Sequence, residues 1–289
     1  VTFVGTLVLT FVGICFASPR LNCIVGVLIA ILMAVSCGLV LSPMIARFAI
    51  YTLIQASLSL EISGASFYFY TDTAEQYPEG PHFTALFYNS VIGMVGSAFS
   101  LLGIWSYQRY MKSWRYRHVL LATNVINCLL NFLDTLFFAR VNLKLGIPDH
   151  AFVLGSSVLQ KTVFQWKWMP SVVILSYLCP PGMEATMYAL LAGCHNVGNP
   201  ISSSCGAYLL ELLGCRPSGV ANESAQFENL WIASAIATAL PLIVIVALFA
   251  LIPDARQDER LIANVGFDGT EGSLLRRWTG RDTTRDRDA

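Results

Sequence analysis

The sequence predicts an all-α protein, a polytopic bundle of transmembrane helices, and two observations support this. The chain is 55% hydrophobic and 12% charged, whereas charged residues make up about 25% of an ordinary soluble domain. Its apolar residues are also gathered into eight long stretches, and a helix needs roughly 20 apolar residues to cross a hydrocarbon core about 30 Å thick. Because the backbone inside a bilayer must satisfy its own hydrogen bonds, such stretches are expected to be helices.

The eight stretches follow one another with short linkers between them. Their predicted bounds are 2–18, 22–42, 48–70, 84–107, 118–139, 151–177, 183–212 and 229–252. A signal peptide is the alternative for the first stretch, but no basic region precedes it and no clear cleavage site follows. Since the chain opens at Val1 inside an apolar span, we expect a fragment that lacks an N-terminal portion. Residues 254–289 are rich in Arg, Asp, Gly and Thr, so a disordered tail is expected there.

Linker charges predict the orientation of the helices in the membrane. With eight spans, seven basic residues from Arg47, the linker 108–118 and the segment after residue 253 share one side, against four on the other. The positive-inside rule then makes the C-terminus cytoplasmic. The acidic loop 72–82 and the sequon at Asn222 fall outside, although a bare sequon is only weak evidence for glycosylation.

Several classes of protein are excluded by what the sequence lacks. It has no basic stripe interleaved with aromatic residues, which nucleic-acid binding would require. It has no glycine-rich phosphate loop, HExxH pair or GxSxG elbow. Its eight cysteines form no CxxC pair and no Cys/His spacing suited to zinc. The sequence therefore predicts neither an enzyme nor a nucleic-acid-binding protein, with no metal and no cofactor.

Charged side chains at membrane depth are the candidate functional residues, because they cost several kcal/mol unless they face a cavity or a partner. Glu61 lies mid-way along the third stretch, either as a member of an interhelical ion pair or as a proton-coupling or substrate-binding carboxylate. In the fifth stretch Asn124, Asn127, Asn131 and Asp134 recur at spacings of three, four and three residues, which places them on one helix face. That face either lines an aqueous path or bonds neighbouring helices.

The sixth and seventh stretches add side chains suited to an aromatic or anionic ligand. Lys161 and Gln165 share a helix face with Trp168, and Lys167 lies beside that tryptophan. A lysine neutralises an anion and a tryptophan offers a flat face for a ring; the alternative is a snorkelling lysine and tryptophans packed in the core. In the seventh stretch Tyr188, His195 and Asn199 share a face, and the histidine is either a titrating group or a structural one.

Four sequence motifs resemble one known family. They read GASFYFYTD at 64–72, EQYPEGPHF at 75–83, QWKWMP at 165–170 and LCPPGMEATMYALLAGCHN at 178–196. Over about residues 45–260 the chain resembles the folate–biopterin transporter family of the major facilitator superfamily, in the form found in trypanosomatid parasites. The linker 103–115 is similar to the superfamily's cytoplasmic loop motif, with Gln108 where an aspartate is usual.

The resemblance implies a domain organisation. Residues 46–253 would be the six-helix C-terminal half of the superfamily fold, and residues 1–45 the last two helices of the preceding half. The tail would be residues 254–289, and the missing N-terminal half would be the main protein partner.

The resemblance also implies a function. The protein would import folate, or a pterin such as biopterin, across the plasma membrane by alternating access, coupled to the movement of protons. The substrate site would lie near the midplane of the bilayer. Extra lysines in the path would favour the glutamate tail of folate. The alternatives are a related carrier for another solute, such as S-adenosylmethionine, or a receptor or truncated membrane protein that does not transport. The expected proton-coupling residues are Glu61 and Asp134, and the expected substrate residues are Asn131, Lys161, Gln165, Lys167, Trp168, His195 and Asn199.

Overall fold

The computed structural model describes residues 2–16, 18–179, 184–252, 254–257 and 269–279, and these form a bundle of helices without a named strand. The all-α prediction is confirmed, and each of the eight apolar stretches is helical over most of its length. The helices are α1 Thr2–Cys15, α2 Pro19–Val40, α3 Pro43–Leu58, α4 Ser63–Thr71, α5 Ile92–Ser106, α6 Tyr116–Phe138, α7 Val141–Lys144, α8 Asp149–Tyr177, α9 Glu184–Leu212, α10 Leu230–Leu251 and α11 Leu274–Trp278.

Several of these helices are long and apolar enough to cross a bilayer. Among the described residues, five helical segments are both long and apolar enough to do so: Pro19–Val40, Pro43–Thr71, Leu86–Met111, Tyr116–Phe138 and Ser224–Ala247. The helices α8 and α9 are more polar but have 29 residues each, which corresponds to about 44 Å at 1.5 Å per residue. Polar residues of both helices line a cavity inside the bundle.

Each of the long helices α8 and α9 packs mainly against two other helices. α8 lies between α5 and α6, α9 packs against both α2 and α3, and α10 packs against α6 and α3. The α2–α9 contact includes two pairs of neighbouring thiols, with Sγ–Sγ distances of 2.8 Å for Cys23–Cys205 and 3.8 Å for Cys37–Cys194. The first two helices thus both contact α9, and α2 also contacts α3. The division of the chain at residue 45 stays a prediction.

The third apolar stretch is interrupted, so the prediction of one continuous helix through Glu61 was wrong. α3 ends at Leu58 and α4 begins at Ser63. The hydroxyl of Ser59 donates to the carbonyl of Gln55 at 2.7 Å, a bond that competes with the backbone ladder of a helix. α9 stabilises the interruption from outside, since the Ser202 hydroxyl donates to the carbonyl of Ser59 and the Glu61 N–H points to the carbonyl of Ser202.

The loops gather at two ends of the bundle as the eight-span threading predicts. At the Arg115 end, Tyr116 N–H donates to the carbonyl of Ala255 at 3.1 Å and Arg115 pairs with Asp254 at 3.0 Å. At the opposite, Asp72 end, loop 72–85 meets loop 213–229. Which end faces the cytoplasm stays a prediction.

The C-terminal segment differs from the disordered tail that its composition predicts. The N–H of Ser42 donates to the carbonyl of Gly269 at 2.9 Å, and α11 packs against α2. Residues 269–279 are therefore attached to the bundle, through contacts with distant residues that composition does not reveal. The prediction for 258–268 and 280–289 falls outside the described residues.

Candidate functional site

A cavity of about 1180 Å³ opens between the helices, bounded by α3, α5, α6, α8, α9, α10 and the interruption at Ser59–Ile62. It contains most of the predicted site residues: Glu61, Asn131, Asp134, Lys161, Lys167, Trp168, His195 and Asn199. Polar side chains of α6, α8 and α9 converge here, so these long helices bury their polar faces in the bundle rather than against lipid.

Two residues of the predicted polar faces lie elsewhere. On α6, Asn124 is buried and its amide donates to the carbonyl of Leu120 within the same helix at 2.7 Å. On α8, Gln165 was predicted to bind substrate but is not among the cavity residues. It lies against α5, where a Cβ added at Gly103 would be 3.0 Å from the Cβ of Gln165. The structure therefore does not bring Gln165 into the cavity, because α8 packs closely on α5 along the side that carries this residue. Its role in substrate binding stays a prediction.

The cavity contains a first cluster, which we call the aspartate cluster: Asp134, Gln160, Tyr70 and Tyr88. Gln160 of α8 donates from Nε2 to the Asp134 Oδ2 of α6 at 2.6 Å. The rings of Tyr70 and Tyr88 lie 5.2 Å apart, and both line the same cavity. Sequence reasoning missed Gln160, although its spacing of four and seven residues from Phe164 and Lys167 would have placed it on the cavity face.

A second cluster, the lysine cluster, lies further along α8 and comprises Lys167, Trp168, His195 and Phe164. The Trp168 and His195 rings are 5.3 Å apart, and Phe164 stacks on Trp168 with centroids at 6.3 Å. Gln160 and Lys167 are seven residues apart, which corresponds to about 10 Å of rise along a helix. The cavity thus contains one cluster with a carboxylate and an amide and a second cluster with a lysine and a histidine.

The charged groups of the cavity are not paired with one another. Within the described part of the chain the ion pairs are Arg115–Asp254, Arg140–Asp149 and Arg216–Glu211, all at the ends of the bundle. Glu61 accepts a hydrogen bond from the Ser63 hydroxyl at 2.9 Å, so its interpretation as a member of an interhelical ion pair finds no support. Because half-buried charges such as Asp134 and Lys167 gain from a counter-charge or a polar ligand, this arrangement suits a solute that carries polar groups of its own.

Comparison with known proteins identifies the family. The model of the BT1 family matches residues 17–268. The chain belongs to the BT1 family. The BT1 chain is 32% identical over 215 residues to probable folate-biopterin transporter 2 of Arabidopsis thaliana, which covers 73% of this chain and 40% of that protein. It is 30% identical over 268 residues to probable folate-biopterin transporter 5 of the same plant, covering 88% of this chain and 50% of the relative.

A bacterial relative shows the same similarity over a shorter region. The folate-biopterin transporter of Synechocystis is 34% identical over 154 residues, covering 52% of the BT1 chain and 30% of the relative. The BT1 chain thus spans half or less of the length of these curated relatives. No solved structure matches it.

The Asp72 end of this BT1 chain carries a pair of buried carboxyl groups between two loops. Asp72 is 4% exposed and Glu223 is 5% exposed, and their side chains are within hydrogen-bonding reach of each other. The loops are joined beside them, because Glu223 N–H donates to the carbonyl of Gln76 at 2.9 Å and Asn222 N–H to that of Glu75 at 3.1 Å. The predicted glycosylation residue Asn222 is exposed in this loop, and its modification stays a prediction.

Burial and the neighbouring Glu223 raise the pKa of Asp72 to about 7, while His82 acts weakly in the opposite direction. Burial would also raise the pKa of Glu223, but hydrogen bonds from the backbone N–H groups of Ser218 and Gly219 hold that pKa below its ordinary value. Because its pKa is the higher of the two, Asp72 is the carboxyl group of the pair that holds a proton below about pH 7, while Glu223 stays ionised.

We expect the contact between the two loops to weaken as the pH rises. The pKa of Asp72 is higher in the folded chain than the value of about 3.9 in an unfolded one, so its contribution to stability is full below pH 4 and is lost on passing pH 7. Hydrogen exchange of the Glu223 amide, corrected for intrinsic rates, should show less protection at pH 8 than at pH 6. Asp72→Asn keeps a neutral donor and should abolish this difference; an unchanged difference in that variant would contradict the assignment.

Proposed function

We propose that this chain forms the solute path of a membrane carrier that imports folate or an unconjugated pterin. The observation that supports it most directly is the cavity, which combines aromatic rings, two carboxylates and two lysines inside a helix bundle. Such a mixture suits a flat heteroaromatic solute with hydrogen-bonding edges. The names of the BT1 relatives, folate-biopterin transporters, point to the same class of solute.

Alternating access is the mechanism that we propose for this carrier, with no covalent step. Secondary transporters commonly place their site at an interrupted helix near the midplane, and the interruption at Ser59–Ile62 borders the cavity. Helix ends exposed at such an interruption supply polar backbone groups that a continuous helix does not. We propose the plasma membrane as the location of this carrier. The Arg115 end would be cytoplasmic, because the basic linker lies at that end.

Proton coupling is assigned to Glu61 and Asp134, the two carboxylates of the cavity. Glu61→Gln is expected to abolish accumulation of labelled solute against its gradient, because a carboxamide does not exchange a proton. Exchange of labelled for unlabelled solute at equal pH should persist, since it needs no net proton movement. Glu61→Asp is the matched control and should retain accumulation; equal loss of exchange and accumulation in Glu61→Gln would instead indicate a structural role.

The function is tested by expressing the complete gene in a pterin-auxotrophic cell and measuring accumulation of labelled folate and biopterin. Accumulation of either solute, reduced by an excess of the other, is the expected result. Accumulation of labelled S-adenosylmethionine without folate or biopterin would identify a carrier for another solute. Absence of all three at normal surface expression would indicate a membrane protein that does not transport.

A further inference from the structure

Building on the proposed function, we propose that the two clusters bind opposite ends of one substrate. The aspartate cluster would hold the hydrogen-donating edge of an aminopyrimidine ring, and Lys167 would bind an anionic group at the far end. The carrier would therefore recognise the ring in all its solutes and use Lys167 to select those with an anionic tail.

Asp134 is positioned to accept hydrogen bonds from a ring edge that carries two donors. A carboxylate accepts several hydrogen bonds, so Asp134 keeps acceptor capacity after Gln160 has donated to Oδ2 at 2.6 Å. That bond also fixes the rotamer of Asp134 from a neighbouring helix. An aminopyrimidinone ring presents an exocyclic amine and a ring N–H side by side, which matches the two oxygens of a carboxylate. The rings of Tyr70 and Tyr88 beside it provide aromatic surface for contact with the same ring.

Lys167 is the better of the two cavity lysines for an anion. It is half-buried on the cavity wall, on the same stretch of α8 as Phe164 and Trp168, and no carboxylate of the described residues lies within ion-pair distance of it. Lys161 is exposed, and its aliphatic part lies on α5, where a Cβ added at Gly96 would be 3.1 Å from the Lys161 Cγ. An exposed ammonium is hydrated and gains little from an added anion, whereas a half-buried one gains more.

The spacing of the clusters sets the length of the preferred substrate. The rise from Gln160 to Lys167 is about 10 Å, and the stacked rings of Phe164 and Trp168 lie along this stretch of α8. A pterin alone fills the aspartate cluster, whereas a pterin extended by an aryl linker and a carboxylated tail also reaches the lysine cluster. Biopterin represents the first case and folate the second.

The test is equilibrium binding of labelled folate and biopterin to membranes that contain the product of the complete gene. Binding is chosen over accumulation because loss of proton coupling does not interfere with it. We expect Lys167→Met to weaken folate binding about tenfold or more while biopterin binding changes less than about twofold. Asp134→Asn should weaken both about tenfold, because both ligands carry the ring. Lys161→Met tests the other cavity lysine and should leave the ratio of the two affinities unchanged. Lys144→Met, an exposed lysine outside the cavity lining, is the control and should change neither affinity.

Each outcome bears on the proposal. If Lys167→Met weakens both ligands equally or neither, or if Lys161→Met produces the folate-selective loss, the assignment of Lys167 is overturned. Lys167→Gln provides a second, polar replacement if the methionine variant does not fold, and Lys167→Arg should retain folate binding. Failure of the unmodified protein to bind either ligand would reject the proposed function itself, whereas normal binding of both with unaltered variants would reject only the placement of the substrate.

Discussion

Gly206→Ala is expected to destabilise the bundle by about 1–3 kcal/mol and to lower transport, because it inserts a methyl group where two backbones touch. A Cβ at Gly206 of α9 would overlap the carbonyl oxygen of Glu61 and would lie 2.8 Å from its carbonyl carbon. These are backbone atoms, so no side-chain rotation relieves the contact. α9 would have to move away from the interruption at Ser59–Ile62, which carries Glu61 into the cavity.

Thermal unfolding of the purified protein in detergent measures this effect, at about 2–4 °C for each kcal/mol in a domain of 150–250 residues. Gly155→Ala is the matched control: it changes a glycine of α8 whose added Cβ meets nothing within 4 Å. That control should be neutral or slightly stabilising, since alanine favours a helix over glycine. A Gly206→Ala protein that melts and transports like the unmodified one would show that α9 does not hold the interruption in place.

Most of the helices and most of the cavity residues could be predicted from the sequence alone. The reason is that the length and polarity of a single segment decide whether it can cross a lipid bilayer and which of its side chains can face lipid. Apolar length predicts a span, and a charged side chain such as Lys167 or Asp134 within a span predicts an inward face. The stripe from Asn127 to Asp134 does line the cavity. These features depend on the chain's own periodicity and need no knowledge of neighbouring helices.

The features that the sequence did not reveal depend on distant contacts. The interruption after Leu58 is stabilised by Ser202, 143 residues away from Ser59, and the apolar pattern continues through it. The packing of α5 determines which amide of α8 faces the cavity. α5 contacts α8 at Gly103, on the side that carries Gln165, whereas Gln160 is free to donate a hydrogen bond to Asp134. A single helical pattern contains both amides and does not distinguish them.

Arg140→Met is expected to cost about 3 kcal/mol, because it leaves the largely covered carboxylate of Asp149 without its cation. The guanidinium contacts both oxygens of Asp149 at 3.1 and 3.2 Å, and the two side chains are 18% and 15% exposed. The same guanidinium lies 5.8 and 5.7 Å from the ring centroids of Phe69 and Phe137. It therefore joins α4, α6 and the start of α8 at the Asp72 end, and Arg140→Lys, which lacks the two-point geometry, should restore only part of the stability.

Arg216→Met is the matched control, since Arg216 pairs with Glu211 at the same end of the bundle but is 63% exposed. Exposed pairs contribute about 0–1 kcal/mol, so its melting temperature should stay close to that of the unmodified protein. Equal melting of the two variants would contradict a stabilising role for Arg140. Because Phe137 lies three residues from Asp134 on α6, loss of Arg140 should also displace the carboxylate that we assign to the ring of the substrate. Folate and biopterin binding should then weaken together, unlike the folate-selective loss expected for Lys167→Met.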